Sequence, residues 1–173
     1  LEHFPARHRI AWQTDDGQTT FCLPMASVMH GVFYNRAIFR RLGLEVPRTE
    51  TEWIHALRRV REEAPGLEPL ALGTADRWES HQLLFTSIGP NHWKGESGRL
   101  AVLQGTAALT DPMFIGVWQR MRDLSEWMPA GYQAQGYEAM LDLFGRGMAA
   151  MRPGGSWEIQ QLRAYPRLQL GVF

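Results

Sequence analysis

Apolar residues recur at helical spacing over Tyr137, Met140, Leu141 and Phe144, which predicts a helix ending near 144. Gly145 and Gly147 follow at once and read as its stop, because glycine takes the left-handed backbone of a helix C-terminus without a Cβ penalty. Met148 to Met151 is an apolar run with the length of a buried strand. Pro153, Gly154 and Gly155 then predict a turn, and Ser156 is placed to cap a helix carrying Ile159 and Leu162. This order puts Trp157 just past the carboxyl end of a strand, the edge where α/β sheets bind ligands.

The same alternation runs through the rest of the chain. From Thr20 to Tyr34, two β-type segments flank Pro24, the second rich in valine and aromatics. Asn35 leads into a short helix with Ile38, Phe39 and Leu42, closed by Gly43. Thr49 to Glu52 forms a capping box, followed by the apolar stripe Trp53, Ile54, Leu57 and Val60; Arg58, Arg59, Arg61, Glu62 and Glu63 make the solvated face. Pro65-Gly66 ends this helix, and Pro69 to Leu72 is a short strand. Gly73 to Ser80 opens the next helix, with Leu83, Leu84 and Ile88, so Trp78 stands at a second strand-to-helix junction. Pro90 to Gly98 reads as a polar loop. Thr110-Asp111-Pro112 starts a helix whose core residues include Phe114, Val117, Trp118 and Leu124. Leu168 to Phe173 closes as a strand. The pattern predicts an α/β fold with strands near 20–34, 69–72, 148–151 and 168–173 in one sheet, covered by helices on both faces.

Composition narrows the chemistry. The 173 residues are 45% hydrophobic and suit one compact domain. Eighteen Lys+Arg balance eighteen Asp+Glu, and no basic block exceeds an arginine pair, which argues against a nucleic-acid partner. The single cysteine, Cys22, excludes an internal disulfide; its apolar setting predicts a buried, inert thiol. No apolar stretch reaches the roughly 18 residues of a membrane span, and the first residues do not resemble a signal peptide. His92 has no second ligand at helical or hairpin spacing, Gly145-Arg146-Gly147 lacks the preceding strand of a dinucleotide site, and no nucleophile elbow occurs. No metal, cofactor or catalytic group is therefore expected. Asp76, Glu79, Asp142 and Glu158 are the carboxylates nearest the sheet edge, and a glycosidase would need two of them across a cleft. All four sit in or near helices, where acidic residues are ordinary.

The stretch Phe144 to Trp157, Phe-Gly-Arg-Gly-Met-Ala-Ala-Met-Arg-Pro-Gly-Gly-Ser-Trp, resembles the signature of extracellular (periplasmic) solute-binding proteins of sugar ABC transporters, family 1 type. Leu23-Pro24 through Tyr34-Asn35 and on to Thr49 resembles the passage where that family crosses between its two lobes, and Gly73 to Trp78 resembles its aromatic-bearing loop. The resemblance covers about Leu23 to Phe173. It implies a periplasmic-binding-protein-like lobe with a central mixed sheet, and the chain looks like most of the second lobe of a two-lobed protein, the first lobe being absent. Trp78 and Trp157 look like stacking platforms for a mono- or oligosaccharide. Gly155 and Ser156 look like polar contacts from a helix start, Ser27 like a contact from the crossing strand, and Asp76 and Arg77 like hydrogen-bonding partners. By the same resemblance the protein is not an enzyme and has a membrane permease as partner. It is then exported to the periplasm or cell surface, free or as a lipoprotein. A carbohydrate-active enzyme and a sugar-sensing receptor domain stay open as alternatives.

Overall fold

The computed structural model describes residues 3–23 and 25–173, the side chain of Arg7 excepted; the Pro24 of the expected strand break lies outside the described residues. A short helix, α1 (Ala6–Ile10), precedes a turn at Asp15–Gly17. The described residues from Phe21 to Met29 form neither helix nor strand, and Thr20 makes only an isolated bridge to Gln13. Cys22, expected to be buried, is exposed in this stretch.

Strand β1 (His30–Asn35) runs into α2 (Arg36–Arg41), whose first turn is capped by Asn35 through a 3.0 Å bond from the Ala37 N–H. Helix α3 (Glu50–Glu63) is capped by Thr49 from the Glu52 N–H at 3.2 Å; the Glu52 carboxylate reaches back to the Arg48 N–H, one residue before the cap. Strand β2 (Glu68–Leu70) leads through a loop to a π-helical stretch, Ser80–Phe85, which continues as α4 (Thr86–Trp93). Helix α5 (Glu96–Leu103) follows after only Lys94 and Gly95, both at positive φ, so 90–98 is helical where a loop was expected. The misleading breaker Gly98 is a packing residue: a Cβ there would collide with Trp93. Helix α6 (Pro112–Ser125) buries Phe114, Val117 and Leu124 but leaves Trp118 56% exposed against Phe85. The stripe is thus narrower than the apolar sequence suggested, and Trp118 is not a core residue. Helix α7 (Tyr137–Gly145), strand β3 (Ala149–Gly155), helix α8 (Ile159–Leu162) and strand β4 (Leu170–Val172) complete the chain.

The sheet is mixed, in the order β2-β3-β1-β4. β2 and β3 are parallel, and β1 is antiparallel to both of its neighbours. Alternation along the strands feeds two cores. Tyr34, Leu70 and Leu72 pack with Phe39, Trp53, Leu57, Val60 and Leu124 on one face. Phe33, Ala71 and Ala149 pack with Leu141, Phe144 and Leu162 on the other. Helices therefore cover both faces of the sheet.

Pro153-Gly154-Gly155 is not a turn. All three residues extend β3, opposite Val32, Gly31 and His30. Val32 exchanges both of its backbone bonds with Phe173, at 2.8 and 3.1 Å, so Pro153 lies in a non-hydrogen-bonded pair and its missing donor faces away from β1. On that side β2 has already ended at Leu70, and no ladder bond is lost. β3 ends at Gly155, which explains the late start of β1: no strand remains beyond it to pair with Met29.

Candidate ligand-binding site

The carboxyl ends of β2 and β3 open onto one edge of the sheet. After β2 the chain crosses to the segment before α7: the Thr74 N–H donates to Tyr132 O at 3.0 Å and the Ala75 N–H to Gln135 O at 3.1 Å. Asp76 accepts the Tyr137 N–H at 2.8 Å through Oδ2, satisfying a free amide at the N-terminus of α7. Arg77 holds φ at +68°, a left-handed backbone costing a non-glycine residue about 1 kcal/mol, and Ser80 Oγ donates to its carbonyl at 2.8 Å. This loop delivers Trp78, half-buried, against the ring of Tyr137 with centroids 4.8 Å apart.

After β3 a single 3₁₀ turn, Ser156–Glu158, carries Trp157, also half-buried. Its indole lies over Gly155, where a Cβ would collide with the six-membered ring, so glycine is there for close approach rather than for a turn. The Trp157 Nε1–H donates to Tyr137 Oη at 2.9 Å. Ser156 makes no side-chain cap; its N–H donates to Met29 O at 2.9 Å and its Oγ accepts the Met29 N–H at 3.2 Å. The crossing segment is thereby stitched to the end of β3. Ser27, on the same segment, is exposed, with Oγ 3.4 Å from His8 Nε2. His30 stands edge-on to Trp157 at 5.4 Å and pairs through Nδ1 with Ser87 Oγ at 3.0 Å. It also lines an open cleft of about 760 Å³ with Ser87, Asn91, His92, Trp53 and Ile88.

Trp78, Asp76 and Trp157 thus converge on Tyr137, while Gly155 and Ser156 lie at the β3–Met29 junction and Ser27 sits against His8 of α1. Arg77 is exposed on the loop beside them. Sequence reading missed Tyr137, taken only as the first member of an apolar stripe. It also missed a buried ionic layer beneath the rings: Arg152 and Glu158, each 0% exposed, meet through two 3.0 Å bonds. Arg152 also donates to Ala71 O at 3.3 Å and sets its guanidinium 5.0 Å from the Tyr137 ring. Burial, then the neighbouring Glu158 charge, push the Tyr137 phenol up to about 12, so it stays neutral. Glu79 is fully buried with neither oxygen hydrogen-bonded; burial raises its carboxyl above the usual range. Asp142 is engaged by Arg146 at 2.6 Å and Tyr165 at 3.0 Å, which hold it below that range. Among the described residues no group of three metal-binding side chains occurs, and no helix is long and apolar enough to cross a membrane.

The chain is 24% identical over 167 residues to the multiple sugar-binding protein of Streptococcus mutans, covering 90% of this chain and 38% of that protein. A solved chitin oligosaccharide binding protein superposes with a TM-score of 0.76 at 25% identity, covering 95% of this chain and 41% of its own. A sugar transporter structure from Bacillus licheniformis, in complex with stachyose, superposes at 0.79 with 16% identity, covering 100% and 46%. The chain therefore spans less than half the length of these relatives. The family description "Bacterial extracellular solute-binding protein" matches residues 9–166, nearly the whole chain, and the chain belongs to that family.

Proposed function

We propose that these 173 residues form one lobe of a two-lobed sugar receptor, and that the intact protein binds a neutral saccharide and hands it to an ABC transporter permease. The observation that carries this reading is the convergence of Trp78 and Trp157 on Tyr137 at the carboxyl edge of the sheet. Two flat rings flanked by amides and hydroxyls suit the apolar faces and hydroxyl rim of a sugar, and no cluster of one charge sits among them. The Trp157 N–H is engaged by Tyr137, so that indole offers a ligand its face. Ser27, Ser156, Asp76 and Arg77 supply polar contacts around the rings.

The relatives support the ligand class, since one is described as sugar-binding, another as chitin oligosaccharide-binding and a third holds stachyose. Export to the periplasm or cell surface follows the same family reading. Transport rather than hydrolysis is favoured by the four carboxylates near this edge: Asp76 caps α7, Glu158 pairs with Arg152, Asp142 pairs with Arg146, and Glu79 is sealed from the edge.

A few hydrogen bonds of about 0.5–1.5 kcal/mol each and two stacking rings do not offset the cost of association, so the partner lobe must supply the rest. Calorimetry of the full-length protein against galactose, raffinose, stachyose and chitin oligosaccharides is expected to give micromolar or tighter binding to at least one. The 173-residue chain alone is expected to bind it at millimolar strength or not detectably. Hydrolysis of any of these sugars by the full-length protein would overturn the transport reading.

A further inference from the structure

We infer that Tyr137 is a positioning residue that fixes both tryptophan platforms at once, tying the loop after β2 to the turn after β3. The inference rests on the saccharide reading for what the platforms do, but the tie itself stands on geometry. Tyr137 Oη takes the single N–H of Trp157 at 2.9 Å, and its ring lies 4.8 Å from that of Trp78, tilted by 52°. Its own N–H is held by Asp76 at 2.8 Å, so the residue cannot shift without disturbing the loop that carries Trp78. From below, Arg152 faces the ring at 5.0 Å and is locked by Glu158. Trp78 and Trp157 are 79 residues apart in sequence and on different connections, yet each is half-buried against this one side chain. An indole on a short turn has two free χ angles, and a hydrogen bond to its edge removes the rotation that would take its face away from a ligand. Tyr137 thus acts through the platforms without needing to touch the sugar.

The test compares Tyr137→Phe with Tyr137→Ala in the full-length protein, with indole ¹H–¹⁵N resonances assigned through Trp78→Phe and Trp157→Phe. Tyr137→Phe keeps the ring against Trp78 and removes the acceptor. Its expected signature is a shifted Trp157 indole resonance, an undisturbed Trp78 resonance and a melting temperature near that of the parent. Affinity for whichever of galactose, raffinose, stachyose or chitotetraose binds the parent should fall about two- to tenfold, the size of one lost hydrogen bond. Tyr137→Ala should move both resonances and weaken binding further. An unmoved Trp157 resonance in Tyr137→Phe, or a moved one with unchanged affinity, overturns the inference. If the parent binds none of these sugars, the saccharide reading fails by itself. The Trp157 resonance then decides the tie alone: displaced in Tyr137→Phe it upholds it, unmoved it ends it.

Discussion

Arg152 and Glu158, six residues apart, meet as a fully buried bidentate pair that joins the middle of β3 to the turn bearing Trp157. Two charges out of water are held only because each satisfies the other, so removing one is far worse than removing both. Glu158→Ala should destabilise the chain by about 3–5 kcal/mol, and Arg152→Met combined with Glu158→Leu should recover most of that loss. Urea denaturation of the single and double variants measures it. A single variant within about 1 kcal/mol of the parent would mean that water reaches the pair and screens it.

Gly155 has no freedom to carry a side chain, because the Trp157 ring occupies the space a Cβ would fill. Gly155→Ala should push the indole off the end of β3 and lengthen its bond to Tyr137. An overpacking cost of about 1–3 kcal/mol is expected, with a changed Trp157 fluorescence. An alanine variant with parental emission and stability would show that the ring does not rest there in solution.

What the sequence made legible was local. Asn35 and Thr49 cap helices as their residue types predict, and the stripe from Tyr137 to Phe144 faces the core. What it hid depends on partners distant in sequence. Pro153-Gly154-Gly155 reads as a turn until Val32, Gly31 and His30 are known to lie opposite. Arg152 sits in an apolar run between Met151 and Pro153, and only its burial beside Glu158 reveals why a charge belongs there. A lone arginine inside an otherwise buried strand, six residues before a glutamate, was the available signal. Trp78 and Trp157 were visible as strand-end aromatics, but the residue joining them starts α7 and was indistinguishable from ordinary core.

Glu79 sets a pH dependence. Its carboxyl is raised chiefly by burial, and further by Asp76, with Arg152 opposing. The folded state therefore keeps a proton that the unfolded chain releases above its ordinary value, here 4.5. Wherever the folded state binds more protons, stability falls as pH rises, and the loss continues up to the raised folded value. Glu79→Gln should remove that part of the decline and raise the urea midpoint at neutral pH. Midpoints for both proteins from about pH 4 to about pH 8 check this, and parallel curves would dismiss the assignment.

The two platforms should be separable in binding. An aromatic contact is worth about 0.5–1.5 kcal/mol beyond its buried area, so Trp78→Ala and Trp157→Ala in the full-length protein should each weaken saccharide binding by about two- to tenfold or more. Because both rings lean on Tyr137, the losses should not add: residues in contact couple, and one platform loosens when the other is removed. Trp118 packs at a tilt against Phe85 and stays largely exposed, so Trp118→Ala serves as the control and should leave affinity unchanged. Calorimetry on the three single variants and the Trp78/Trp157 double variant gives the coupling term. Strict additivity would mean that the rings act independently of the tyrosine between them. An effect from Trp118→Ala as large as from Trp157→Ala would move the site away from this edge of the sheet altogether.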